Sequence, residues 1–380
     1  MYSCLLLGLA ETEKGAVVVM KNFLASRWGV LTVGAAIGVL AALLQFWGNP
    51  GNMGVCVACF VRDITGAIGM HRAAVVQYMR PEIIGFVLGA LIAALVFRDF
   101  RPRAGSAPII RFVLGALAMI GALVFLGCPW RALLRLAGGD GNAILGLLGL
   151  IFGIFIGTRF LKAGYTLGRE SKSLAPVGLI MPGIMLFFLI LMLLFPQVQG
   201  AAQSGTLFYS LKGPGAMHAP LIISLIIGLG VGFAAQRSRF CTMGAFRDFI
   251  LFRQSHLLGG VLALALAAFV VNLALGQFQP GFADQPVAHD LHVWNFLGMT
   301  LAGLAFALAG GCPGRQLFMS GEGDGDAAVF VLGMIVGAAF SHNFGLASSP
   351  AGLGPYGAQA VFLGLAVCLA IGFLMRKKMA

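Results

Sequence analysis

The chain has 380 residues, 59% of them hydrophobic and only 10% charged, with 55 glycines and a formal net charge of +12. Soluble globular proteins carry roughly 25% charged and about 45–50% apolar residues, so this composition excludes a soluble fold and places the chain in a bilayer. A charge of +12 would suggest nucleic acid in a soluble protein; here Lys and Arg sit in short clusters between apolar runs, which is a topology signal, and no nucleic-acid partner is expected.

Residues 1–20 read as an N-terminal extension whose apolar patch, Leu5–Ala10, is too short to span, with Met20 as an alternative start just before the first long run. Spans of about 20 apolar residues are then expected at Trp28–Trp47, Pro81–Phe97, Phe112–Leu126, Asn142–Phe160, Leu174–Phe195, Pro220–Ala235, His256–Gly276, Trp294–Gly310, Ala327–Phe344 and Gly357–Met375. The fold class predicted is an all-α polytopic membrane protein. With ten spans, 19 of the 25 basic residues fall on the side of the N-terminus. By the positive-inside rule that side is the cytoplasm, for both termini.

Internal repetition divides the chain into halves at 21–200 and 201–380. Cys56, Arg62 and Asp63 recur as Cys241, Arg247 and Asp248 at an offset of 185, and Gly127-Cys128-Pro129-Trp130-Arg131 recurs as Gly311-Cys312-Pro313-Gly314-Arg315 at an offset of 184. Gly139-Asp140-Gly141 recurs as Gly323-Asp324-Gly325. Five spans per half is an odd number, so the repeat is expected to be inverted, an arrangement typical of transporters with a site near the midplane. The stretches near 52–64, 128–137, 240–252 and 312–321 are too short to cross and read as re-entrant helices, giving an hourglass-like architecture.

In Gly-Cys-Pro-x-Arg, proline suits the first helical position and the cysteine falls at the helix cap, where free N–H groups and the positive helix end favour anions. The four repeated cysteines, Cys56, Cys128, Cys241 and Cys312, are therefore the candidate substrate pathway. Arg62-Asp63 and Arg247-Asp248 are expected to pair as clamps or to support anion binding. Arg131 and Arg315 either attract an anion or snorkel to the interface, and Arg239 is a weaker candidate of the same kind. Cys56-x-x-Cys59 invites a redox or metal reading, but Gly244 stands where Cys59 would recur. Glu322, Asp324 and Asp326 read as a glycine-rich turn, and His289 and His292 as solvated loop residues. Cys4 and Cys368 have no assigned role. No catalytic residue, cofactor or metal site is assigned, and the absence of a nucleotide-binding loop argues against direct ATP drive.

The paired cysteine motifs, together with Ser238-Arg239-Phe240-Cys241 and both Gly-Cys-Pro-x-Arg segments, resemble the YeeE/YedE sulfur-transport family. The length and the Gly-Asp-Gly turns resemble its selenium-transport branch, whose relatives take up thiosulfate. The resemblance implies a non-enzymatic permease of the bacterial inner membrane, with cysteines along a narrow central path contacting a small sulfur- or selenium-containing anion. That role falls on Cys56, Cys128 and Cys312, with Cys241 as the symmetry-related fourth. A cytoplasmic sulfur- or selenium-handling protein is a further candidate partner. Passage by hydrogen bonding and relay through a persulfide both stay open, as does channel against coupled carrier. The alternative function is a membrane thiol or sulfane-sulfur oxidoreductase using Cys56 and Cys59.

Overall fold

The computed structural model describes residue 15 and residues 17–376. The patch Leu5–Ala10, Cys4, Lys14 and the Lys377-Lys378 tail lie outside the described residues. The protein is an all-α polytopic membrane protein. A helical stretch over 17–25 leads into α1 (Arg27–Phe46), followed by α2 (Val57–Ala67), α3 (Pro81–Val96), α4 (Pro108–Phe125), α5 (Pro129–Ala137), α6 (Asn142–Lys162), α7 (Ala175–Gly178) and α8 (Ile180–Leu194). The second half continues with α9 (Leu221–Ser238), α10 (Thr242–Phe252), α11 (His256–Ala274), α12 (His292–Ala309), α13 (Pro313–Gly321), α14 (Gly325–Asn343) and α15 (Gly357–Leu374). Eight of these are long and apolar enough to cross a membrane; α3 and α8, also apolar, have 16 and 15 residues.

Each expected span corresponds to one helix, except that Leu174–Phe195 breaks at Leu179 into α7 and α8. Pro182 lies in the first turn of α8, where its missing N–H leaves no hydrogen bond unmade. Two-residue strands, Arg103–Ala104 with Ser171–Lys172 and Gln203–Ser204 with Leu207–Phe208, tie connecting loops together.

Packing is dominated by contacts between the halves. α1 lies on α11 and α3 on α9; α4 lies on α14 and α6 on α12. Exchanging each helix for its sequence-repeat equivalent converts one pairing of each couple into the other. The short helices obey the same exchange, α5 against α11 with α13 against α3, and α2 against α14 with α10 against α6. α8 and α15 break it, since α8 packs on α3 whereas α15 packs on α12 and α4. Glycine permits the closest crossings. A side chain on Gly153 would collide with the Thr300 carbonyl, and one on Gly303 with the Leu150 carbonyl. Without a hydrophobic drive between apolar helices in lipid, such backbone approach is a main source of association.

The turns that follow α5 and α13 have the same construction. Gly139 and Gly323 take φ of 99° and 103°, a region closed to most L-residues. The next residue, Asp140 or Asp324, then returns its N–H to a carbonyl five positions back, on Arg135 or Met319.

His289 corrects the expectation of a solvated loop. It is buried, its Nε2 lies 2.8 Å from the Val124 carbonyl oxygen, and Asn295 Nδ2 donates to its backbone carbonyl; His292 is exposed. Burial lowers the affinity of His289 for a proton, as it does for the loop histidines His71 and His218. All three hold protons less tightly folded than unfolded, so stability is fully present above the ordinary histidine value of about 6.5 and declines as pH falls below it. Thermal melts of the purified protein are expected to show that decline between about pH 7 and pH 5, and His289→Asn to shrink its slope; a flat profile would contradict the assignment.

Candidate functional site

The two cysteine motifs of each half become helix caps deep in the molecule. Cys56 is the N-cap of α2, its sulfur accepting from the Cys59 N–H at 3.3 Å; Cys241 is the N-cap of α10, its sulfur accepting from the Gly244 N–H at 3.2 Å. What recurs at positions 59 and 244 is therefore the backbone donor, not the thiol. Cys128 and Cys312 cap α5 and α13 with extended backbone, each followed by proline at the first helical position, and neither makes a capping hydrogen bond of its own.

The caps meet in pairs. The Cys56 and Cys128 side chains are close neighbours, as are those of Cys241 and Cys312, and the Cys312 N–H approaches the Cys241 sulfur at 3.5 Å. All four are buried and unbridged. Each pair thus joins two helix N-termini, with their only partly capped first-turn N–H groups and two positive dipole ends, around weakly hydrogen-bonding sulfur. Such a place attracts an anion and cannot hold one strongly through the thiols alone.

The charged residues around the two pairs are built differently. Arg62 donates to Asp63 Oδ1 from Nε and Nη2 at 3.0 and 2.7 Å, and Asp63 Oδ2 accepts from Arg80 Nε at 2.8 Å. Arg80 also donates to the Met217 and Pro214 carbonyls at 3.0 and 2.8 Å, pinning α2 to the segment that begins the second half. All three side chains are at most 2% exposed. Their counterparts, Arg247 and Asp248, make one contact at 2.8 Å and are 32% and 22% exposed. The expected mutual pairing is present in both halves, but only the first carries a third member.

Arg131 neither snorkels nor faces a mouth. It is fully buried and donates to the carbonyls of Leu126, Asn52, Pro286 and Val287, stapling the break between α4 and α5 to two loops. One turn on, Arg135 pairs with Asp140 at 2.5 Å and donates to the Phe125 carbonyl at 2.9 Å. Arg315, by contrast, is 12% exposed, pairs with Glu322 at 3.3 Å and leaves Nη1 without a partner among the described residues. It borders a cavity of about 210 Å³ whose wall includes Arg101, Arg103, Arg237 and Arg239 with Asp99, Glu170 and Glu322. Arg239 closes α9 in the left-handed region, φ 54°.

The acidic turn Glu322–Asp326 serves structure. Asp324 caps α14 through the Ala327 N–H at 2.9 Å, Arg103 binds both Glu322 and Asp324, and Asp326 accepts from the Gly105 and Ser106 N–H groups. The carboxylates of Glu170, Asp324 and Asp326 lie within 4.8 Å of one another, with the Arg103 guanidinium bonded to the first two.

Sequence reasoning did not find Arg80, Arg135 or the buried Glu82, whose Oε1 accepts from Asn49 Nδ2 at 2.8 Å. Arg80 and Glu82 flank Pro81 at a helix start and resemble ordinary interfacial residues.

Long apolar helices enclosing four short, cysteine-capped ones define a polytopic membrane protein with a paired-thiol centre. Residues 237–376, which contain Arg239, Cys241, Arg247, Asp248, Cys312 and Arg315, match the family model described as sulphur transport. A segment of 102 residues is 35% identical to the thiosulfate transporter TsuA of Spirochaeta thermophila, covering 26% of this chain and 29% of that protein. A segment of 107 residues is 30% identical to the thiosulfate transporter TsuA of Escherichia coli K12, covering 28% and 30%. These segments span about three-tenths of the length of each relative. Over these segments the chain is similar to sulphur-transport proteins.

The unequal charge clusters lead to a direct test. Asp63→Ala strands two buried guanidinium groups and is expected to cost about 3–5 kcal/mol, whereas Asp248→Ala, in a half-exposed pair, costs about 1 kcal/mol or less. Melting temperatures of the two purified variants check this; equal losses would refute the difference in burial.

Proposed function

We propose that the protein passes a small sulfur- or selenium-containing anion, thiosulfate-like in chemistry, across the bacterial inner membrane along a path lined by Cys56, Cys128, Cys241 and Cys312. The observation that carries this reading is the pairing of equivalent thiols at converging helix N-termini in both halves. An inverted relation of the halves is supported by the exchange of helix partners between them, and it makes one pair the outward-facing station and the other the inward-facing one. Both termini then lie in the cytoplasm, on the side of the arginine-lined cavity beside Arg315.

In this mechanism neutral thiols donate weak S–H hydrogen bonds to the soft chalcogen, while the helix ends offset part of the charge. Conduction needs a site attractive enough to admit the ion and weak enough to release it, and two successive thiol pairs meet both demands. Arg62, Asp63 and Arg131 support the outer station by fixing its helices, and Arg239, Arg247, Asp248 and Arg315 border the inner one. Cys59 is a scaffold residue here, since its backbone N–H rather than its thiol is the repeated element. Its sulfur points to the Leu126 carbonyl at 3.8 Å.

Uptake of thiosulfate and selenite by purified protein in proteoliposomes tests the proposal. Cys128→Ala and Cys312→Ala are expected to lose at least about tenfold of the initial rate, the loss associated with a hydrogen bond to a charged group, while Cys59→Ser retains it. A wild-type protein that takes up neither ion would sink the transport reading, and abolition of activity by Cys59→Ser would favour the thiol oxidoreductase.

A further inference from the structure

One buried residue in contact with elements of both cysteine motifs is not shared by the repeat. Trp130 follows Cys128-Pro129 in the first turn of α5, and its equivalent in the second half is Gly314. The indole ring is 1% exposed and packs against Phe240 at 5.9 Å, Phe318 at 6.0 Å and Phe86 at 5.9 Å between centroids. Phe240 immediately precedes Cys241. A Cβ on Gly314, two residues past Cys312, would fall 3.1 Å from Trp130 Cζ2 and 3.5 Å from Cε2, the atom that carries Nε1. The bare glycine gives the indole its place, and one aromatic ring touches residues adjacent to the Cys128, Cys241 and Cys312 caps.

Trp130 Nε1 has no hydrogen-bond partner among the described residues. A buried donor left unpaired is costly, and a phenylalanine would join the three phenylalanines around it without that cost. Aromatic packing explains the ring but not the N–H. Resting on the transport reading above, we propose that Trp130 is a specificity-determining residue: its indole N–H donates to an oxygen of the passing anion while the thiols hold the sulfur or selenium atom. Thiols and indole then read opposite ends of the ligand, the soft atom by S–H contact and the hard oxygen by N–H contact. The ligand class selected is a chalcogen oxyanion carrying both kinds of atom. Because the ring packs against Phe240 beside Cys241 and over Gly314 beyond Cys312, passage from the first pair to the second also requires it to swing aside, so the same side chain separates the stations when no anion is present.

Two measurements test this on the full-length protein. In a W28F/W47F/W294F background Trp130 is the one remaining tryptophan of the four, and titration with thiosulfate is expected to shift and quench its emission saturably, while chloride does not. In proteoliposomes Trp130→Phe keeps the ring and removes the donor, and is expected to lower thiosulfate uptake about 10- to 100-fold. Gly314→Ala, which displaces the indole without touching it chemically, is expected to lower uptake in the same direction and serves where the phenylalanine variant does not fold. Trp130→Phe transporting at the wild-type rate, or an emission unmoved at thiosulfate concentrations that saturate wild-type uptake, would overturn the inference. A wild-type protein that transports nothing while the Trp130 emission still responds to thiosulfate overturns the transport reading and supports the indole as an anion donor.

Discussion

Everything in this molecule depends on how helix ends are satisfied inside an apolar medium. A helix that stops within the membrane presents about four N–H groups or four carbonyls with no water to meet them. Here four helices, α2, α5, α10 and α13, begin at buried cysteines. Their N-termini are closed by cysteine sulfur or by proline, and the preceding carbonyls by arginine: Arg131 takes the Leu126 carbonyl and Arg135 that of Phe125. Removing those devices would leave backbone polarity unpaired at depth. The charged residues so unusual in an apolar bundle are thus a consequence of the broken helices, and the broken helices are what bring the thiols together.

The halves share a plan but not a state. Around Cys56 and Cys128 the arginines are spent on carbonyls and on Asp63 and Asp140, and the side chains are sealed. Around Cys241 and Cys312 the arginines are partly exposed, and Arg239 and Arg315 border a cavity of about 210 Å³. The repeated motifs therefore sit in sealed surroundings in the first half and beside a partly exposed, arginine-lined cavity in the second. Within the proposed transport cycle that difference corresponds to one side being sealed while the other is open, with Trp130 as the partition.

Much of this was legible from residue order. Ten apolar runs became ten helical regions, because length and hydropathy suffice to fix a helix in lipid; the caps at Cys128 and Cys312 were readable because Gly-Cys-Pro marks a helix start by local chemistry, and those at Cys56 and Cys241 from the recurring Cys, Arg and Asp. What stayed hidden depends on contacts far apart in sequence. Arg80 joins Asp63 across 17 residues and Met217 across 137, and His289 reaches Val124 across 165. No local pattern distinguishes such residues from solvated ones. Trp130 stayed hidden for a different reason: as a departure from the repeat it looks like drift until Gly314 is found beneath it.

The choice of sulfur as the capping atom is where fold and proposed function become one problem. Serine, aspartate or asparagine would cap these helices more strongly, since an oxygen acceptor binds the N–H groups of the first turn more firmly than a thiol does. At Cys56 and Cys241 the N–H to sulfur distances are 3.3 and 3.2 Å, weak caps at positions where stability alone would favour strong ones. A weak cap leaves the helix N-terminus competent to turn toward another acceptor. An anion arriving at the pair finds donors that are satisfied well enough to keep the helix folded, yet loosely enough to be given up. A carboxylate cap would repel the same anion, and a hydroxyl would hold the N–H more tightly while offering a poorer match to a soft atom. In the proposed transport, the stability forgone at these helix ends is the condition for a path that binds an anion only in passing.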